Sequence, residues 1–240
     1  MTRRAPAFFA ILVILIGIAA LLSWAGGIDK WSANLFYDPA HGFAASYSSL
    51  LATLRVSTRL AAYGVGVFLI LGFVWRVLLG REFFALSRAG VIYLMAVFIL
   101  GPGLLVNGIL KEDWGRARPS QIVEFGGDKR YTPPLEIADQ CEHNCSFVSG
   151  EASLGFAFGA FGFVATDPRR RRLGLAAGLV LGSAFGLLRM AQGGHFLSDV
   201  YFAGVAIFAL AWALHRILIA RGLLDALGFW RSEEPSNGSA

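Results

Sequence analysis

An all-α, polytopic membrane fold is the class this sequence predicts, and three observations predict it. Hydrophobic residues make up 56% of the 240, charged residues only 15%, and the mean hydropathy is +0.60, proportions that cannot cover a water-facing surface. Six apolar runs recur, at 7–24, 60–79, 84–110, 147–165, 173–188 and 196–220, most of them long enough to cross a bilayer. Cations gather beside these runs, where Lys and Arg set membrane orientation, so the net charge of +5 does not read as a nucleic-acid-binding patch. Disordered, collagen-like and secreted disulfide-knot classes are excluded by the same composition.

The expected architecture is one six-helix transmembrane domain over 1–231, followed by a polar tail at 232–240. Thr2-Arg3-Arg4 before the first run is also the opening of a secretory or twin-arginine signal. The length of the run, and the absence of a clear A-x-A site after it, favour a helix that stays. The stretch 26–59, interrupted by Pro39 and Gly42, and the stretch 111–146, with Pro119, Pro133 and Pro134, are expected as interfacial or loop segments. The fifth run carries Gly174, Gly178, Gly182 and Gly186 at four-residue spacing, a stripe that admits a neighbouring helix closely and predicts a central place in the bundle. A cytoplasmic N-terminus puts Arg3, Arg4, the run 169–172, Arg216 and Arg221 on the inner side, leaving the outer loops close to neutral. Both termini are therefore expected in the cytoplasm, with 111–146 and 189–196 together outside, facing the periplasm of a bacterial-type inner membrane.

The two cysteines stand in Cys141-Glu142-His143-Asn144-Cys145. In an oxidising compartment they predict a small disulfide-closed loop. A metal site from Cys141, His143 and Cys145 is the alternative, and it would need a fourth ligand from elsewhere.

Three polar clusters in the outer loops carry the case for chemistry. In Lys111-Glu112-Asp113-Trp114-Gly115-Arg116-Ala117-Arg118-Pro119, Lys111 ends the third span and Arg118 is expected about two helical turns further on. A planar guanidinium and a point-like ammonium converging on one anion suit a phosphoryl group, although interfacial snorkelling also accounts for them. In Ser146-Phe147-Val148-Ser149-Gly150-Glu151, Ser149 and Gly150 open the fourth span, where unpaired N–H groups can cradle an anion or Ser149 can simply cap the helix. In Arg189-Met190-Ala191-Gln192-Gly193-Gly194-His195-Phe196-Leu197-Ser198-Asp199, His195 and Asp199 are four apart on the sixth helix. A carboxylate there would hold one ring nitrogen and present the other as nucleophile or base.

Taken together, Lys111-x6-Arg118-Pro119, then Ser149-Gly150, then Arg189-x5-His195-x3-Asp199 resembles the three-part signature of the type 2 phosphatidic acid phosphatase superfamily, over roughly 104–205. Val148 stands where that pattern usually has Pro, Leu188 where Ser commonly precedes the arginine, and Glu151 where the family has its second histidine. The resemblance implies a metal-independent lipid phosphatase without cofactor. Lys111, Arg118, Ser149, Gly150 and Arg189 would hold phosphate, and His195 would attack phosphorus to give a phosphohistidine. Asp199 would orient the ring, and Glu151 is the candidate leaving-group acid. Candidate substrates are the phosphates of lipid A, undecaprenyl pyrophosphate, phosphatidylglycerol phosphate and phosphatidic acid. A lipid-to-lipid phosphotransferase, a phospholipid-binding or transport protein and a rhomboid-type protease using Ser149 and His195 are the other readings. The last assigns no work to Lys111, Arg118, Arg189 or Asp199.

Overall fold

A computed structural model describes residue 17 and residues 26–79 and 87–221. The expected first span and the polar tail otherwise lie outside the described residues. Within them the fold is helical, with two isolated β-bridges in the loops and no strand.

Helix α1, Gly27–Asn34, is followed by a turn and a short 3-10 segment, Ala44–Tyr47. Helix α2 then runs over Ser49–Leu79, with Ser48 Oγ accepting from Leu51 N–H at 3.3 Å near its start. The second span thus begins eleven residues before the expected 60, because nothing after Gly42 breaks the helix. Helix α3, Arg88–Phe98, continues through a wider coil, Ile99–Leu110, into a last turn, Lys111–Asp113. Pro102 lies inside that coil and cannot give the helical N–H bond, and Asn107 Nδ2 donates back to the Pro102 carbonyl at 2.6 Å.

Helix α4, Gly150–Ala157, and helix α5, Ala160–Val164, form the fourth apolar element, with Gly159 between them. Capping by Ser149 delays its start past Phe147, and 15 residues at 1.5 Å each reach about 22 Å, short of a 30 Å hydrocarbon core. Helix α6 is Pro168–Ala191, and helix α7, Leu197–Leu214, continues as His215–Ala220. Among the described residues four helices are long and apolar enough to cross a membrane: Ser49–Trp75, Ala89–Asp113, Pro168–Ala191 and Leu197–Ala220.

The glycine stripe of α6 is answered within the same chain. Gly174, Gly178 and Gly182 face Gly162, Gly159 and Gly155, so closely that a Cβ on Gly155 would come 2.5 Å from the Gly182 nitrogen. The expectation that this helix is central fails: its other side exposes Leu173, Leu179, Val180 and Leu187, and the short α4–α5 pair is the enclosed element. The main core gathers Tyr93, Leu94, Val97, Val106, Phe156, Ala203 and Ile207 from α3, α4 and α7. A second core of Ala33, Phe43, Ala117, Ile122, Phe125 and Phe196 joins α1 and the 114–149 loop over the end of α7.

Candidate active site

Backbone hydrogen bonds stitch the three sequence clusters to one another at that end of the bundle. Cys145 N–H donates to the Lys111 carbonyl (3.0 Å), Ser146 to Arg116 (2.9 Å), Ser149 to Asp199 (3.2 Å) and Ser120 to Gly193 (3.0 Å). Arg118 is not two helical turns beyond Lys111. The helix ends at Asp113, Gly115 takes a left-handed φ of 65°, and an extended segment delivers Arg118 instead. Cys141 and Cys145 are bonded to each other, so their sulfurs are not metal ligands.

Asn144, inside that disulfide loop, holds two of the cations. Its Oδ1 accepts from Lys111 Nζ at 2.9 Å and its carbonyl from Arg118 Nη2 at 2.5 Å. Lys111 and Arg189 are buried, and Arg189, in the last turn of α6, donates from Nη1 to Gln192 Oε1 at 2.6 Å. Gly150 lets these groups close in: a Cβ there would sit 2.7 Å from Asn107 Oδ1 and 3.3 Å from Lys111 Nζ. Ser149 is the N-cap of α4, its buried Oγ accepting from Ala152 N–H at 3.4 Å.

His195 does not lie on the sixth helix, which starts at Leu197. Its Nδ1 is 2.7 Å from the Ser146 carbonyl oxygen, and Asp199 Oδ2 is 3.7 Å away. A carbonyl only accepts, so Nδ1 carries the proton and Nε2 the lone pair. The backbone of Ser146, and not the Asp199 carboxylate, therefore fixes the tautomer. Asp199 reaches back to the Phe196 N–H (2.8 Å), accepts from Ser146 Oγ (2.5 Å) and pairs with Arg116 Nη1 (2.5 Å). Burial holds the imidazole's pKa down at about 4, so the ring is neutral at ordinary pH.

Several contributors were not read from the sequence. Arg116, fully buried, pairs on one side with Asp199 and on the other with Asp29 of α1 at 2.8 Å. Asp29 also accepts from Ser198 N–H (2.9 Å), Ser198 Oγ (2.5 Å) and Tyr131 OH (3.0 Å). Arg55 of α2 reaches Glu151 Oε1 from Nε at 3.0 Å, while Arg189 Nε lies 3.6 Å and His195 Nε2 4.0 Å from Glu151 Oε2. Arg116 was open to reading, two residues before Arg118. Asp29 had no signal, being 169 residues from its partner Ser198.

A cavity of about 620 Å³ opens beside these groups. Arg55, Asn107, Lys111, Arg118, Asn144, Glu151 and Arg189 line its polar end, and Tyr63, Val67, Ile70, Phe98, Ile99 and Leu154 its apolar wall. His195 lies behind Glu151 and Arg189, buried. The arrangement offers one bare imidazole nitrogen, four cations and a single carboxylate among them, beside a wall suited to hydrocarbon. The cations that line the cavity are placed to neutralise an anion there.

A model described as the PAP2 superfamily matches residues 89–222. The lipid A 4'-phosphatase of Francisella tularensis subsp. novicida (strain U112) is 35% identical over 192 residues, 80% of this chain and 86% of that protein. That of Rhizobium leguminosarum is 41% identical over 125 residues, 50% of this chain and 52% of that protein, and that of Rhizobium etli (strain ATCC 51251 / DSM 11541 / JCM 21823 / NBRC 15573 / CFN 42) is 41% identical over 128 residues, 50% and 48%. No solved structure matches. Asp29 and Arg55 lie before the matched segment, but Lys111, Arg118, Arg189, His195 and Asp199 all fall within it. With more than half of its length matched and a 35% identical relative along four-fifths of it, the chain belongs to the PAP2 superfamily.

Proposed function

We propose that this chain is a membrane lipid phosphatase that removes a phosphate from a lipid A-type substrate at the outer, periplasmic face, through a phosphohistidine on His195. The observation that carries the reading is the His195 ring: Nδ1 is tied to the Ser146 carbonyl and Nε2 is without a hydrogen-bond partner among the described residues, behind a cluster of Lys111, Arg118 and Arg189. The named relatives support lipid A as the substrate, and the apolar wall beside the cations suits a lipid.

In this reading the phosphate takes hydrogen bonds from Lys111, Arg118 and Arg189, with the Gly150 N–H and Ser149 hydroxyl at the start of α4. The Nε2 lone pair forms a bond to phosphorus as the bond from phosphorus to the lipid oxygen breaks. Asp199, 3.7 Å from Nδ1, stabilises the positive charge that develops on the ring. Glu151 loses its cations to the incoming phosphate and then faces an anion, the circumstance in which a carboxylate takes up a proton. It passes that proton to the leaving lipid oxygen. Water then attacks phosphorus, giving a proton to the Glu151 carboxylate as the bond from phosphorus to Nε2 breaks, which releases phosphate and restores the neutral imidazole. The cationic cluster supplies the charge neutralisation, so turnover should persist with chelator present. A second lipid in place of water would make the same intermediate serve a phosphotransferase.

Phosphate release by the purified protein from lipid A, undecaprenyl pyrophosphate, phosphatidylglycerol phosphate and phosphatidic acid, with chelator, tests the reading. Lipid A should be turned over best. His195→Ala should lose turnover and also the protein-bound label seen when wild type, given radiolabelled substrate, is quenched in alkali. A label that survives in His195→Ala would end the phosphohistidine account.

A further inference from the structure

The carboxylate of Glu151 stands between the cations and His195 Nε2, 4.0 Å from that nitrogen. A phosphorus atom attacked by Nε2 must occupy nearly the same place. Glu151 Oε1 is held by Arg55 Nε at 3.0 Å and Oε2 by Arg189 Nε at 3.6 Å, so an arriving phosphate meets two guanidinium groups already turned inward. Arg55 comes from α2, outside all three sequence clusters, and its side chain remains about one-third exposed at the rim of the cavity. Nε is committed to Glu151, and the guanidinium fork carries four further N–H donors.

The helix that carries Arg55 also builds the apolar wall. Tyr63, Gly66, Val67 and Ile70 follow it at offsets that keep all five residues on one face of α2. From Arg55 to Ile70 that face extends about 22 Å at 1.5 Å per residue. A cation at one end and an apolar strip behind it match a phosphate group joined to a hydrocarbon chain.

We propose that Arg55 is a substrate-binding residue, a fourth cation that exchanges Glu151 for the phosphate oxygens and so couples the lipid-facing wall of α2 to the phosphate site. This rests on the phosphatase reading above and adds to it a residue from outside the matched segment. The rival role is purely local: Arg55 neutralises Glu151 and never touches the substrate.

Equilibrium binding of radiolabelled orthophosphate to the full chain in detergent micelles separates the two without requiring turnover. Glu151→Gln removes the competing carboxylate and should bind orthophosphate more tightly than wild type; weaker binding would overturn the exchange. Adding Arg55→Gln to Glu151→Gln leaves no carboxylate to neutralise, and should still weaken binding by about tenfold, as expected for a lost hydrogen bond between charged groups. Equal affinity of the single and double variants would overturn the proposal. Arg55→Lys in the same background keeps the charge but loses the fork, and should fall between them. If the glutamine variant does not fold, unchanged affinity in the lysine variant overturns the proposal by itself. Wild-type phosphate release from lipids is read separately, so its absence would strike the phosphatase reading and leave the Arg55 comparison standing.

Discussion

His195 owes its chemistry to one neighbour and to burial. The Ser146 carbonyl claims the Nδ1 proton at 2.7 Å, and burial away from water makes the charged ring costly, lowering its pKa to about 4. Burial penalises only the protonated form, so the ring should stay neutral from pH 8 down to near 4, and the part of kcat/KM that depends on it should fall only below that point. A 15N-histidine spectrum, with the His195 signals assigned by their loss in His195→Asn, should show the proton on Nδ1 at pH 5 as at pH 7. A ring already protonated at pH 6 would contradict this. The spacing of His195 and Asp199 was legible in sequence, but the direct bond inferred from it was not there to find. Asp199 is drawn instead toward Arg116 and Ser146, whose approach depends on loops that sequence spacing does not specify. Arg116 is the member that cannot be spared, because its removal would leave the Asp29 and Asp199 carboxylates buried with no cation between them.

At the scale of helices, composition located the apolar runs well and their ends poorly. The α2 start was missed because 49–59 mixes Arg55 and Arg59 into leucines, which reads as interfacial until Arg55 has a partner across the cavity. Small-residue spacing in α6 foretold a close helix crossing, yet not which helix crosses, since Gly155, Gly159 and Gly162 do not share its regular four-residue period. Their meeting makes a sharp contrast testable. Gly178→Leu forces a side chain against the Gly159 backbone and should cost about 1–3 kcal/mol or more, as overpacking does. Leu179→Ala, next along the chain but exposed, should move the thermal midpoint in detergent much less. Equal shifts would mean that the close approach of α6 to the α4–α5 pair is not what holds these helices together.

For the molecule as a whole, the proposed reaction requires the loop 114–149 to lie outside the cytoplasm and the cationic run 169–172, at the far end of α6, to lie within it. Cys141 and Cys145 are bonded, so a single introduced thiol reports alone. Asp128→Cys should react with a membrane-impermeant maleimide on intact cells, and Arg170→Cys only after permeabilisation. The opposite pattern would put the cations on the cytosolic side and end the outer-face assignment. Family membership was legible because its residues fall in compact clusters, whereas the helices before residue 89, which add Asp29 and Arg55, had no such pattern to be read against. The cavity joins a charged end to an apolar flank along α2 and α3. In the reaction proposed above, the two products would therefore part by different routes: the inorganic ion into water, and the dephosphorylated lipid sideways into its own leaflet without being lifted from it.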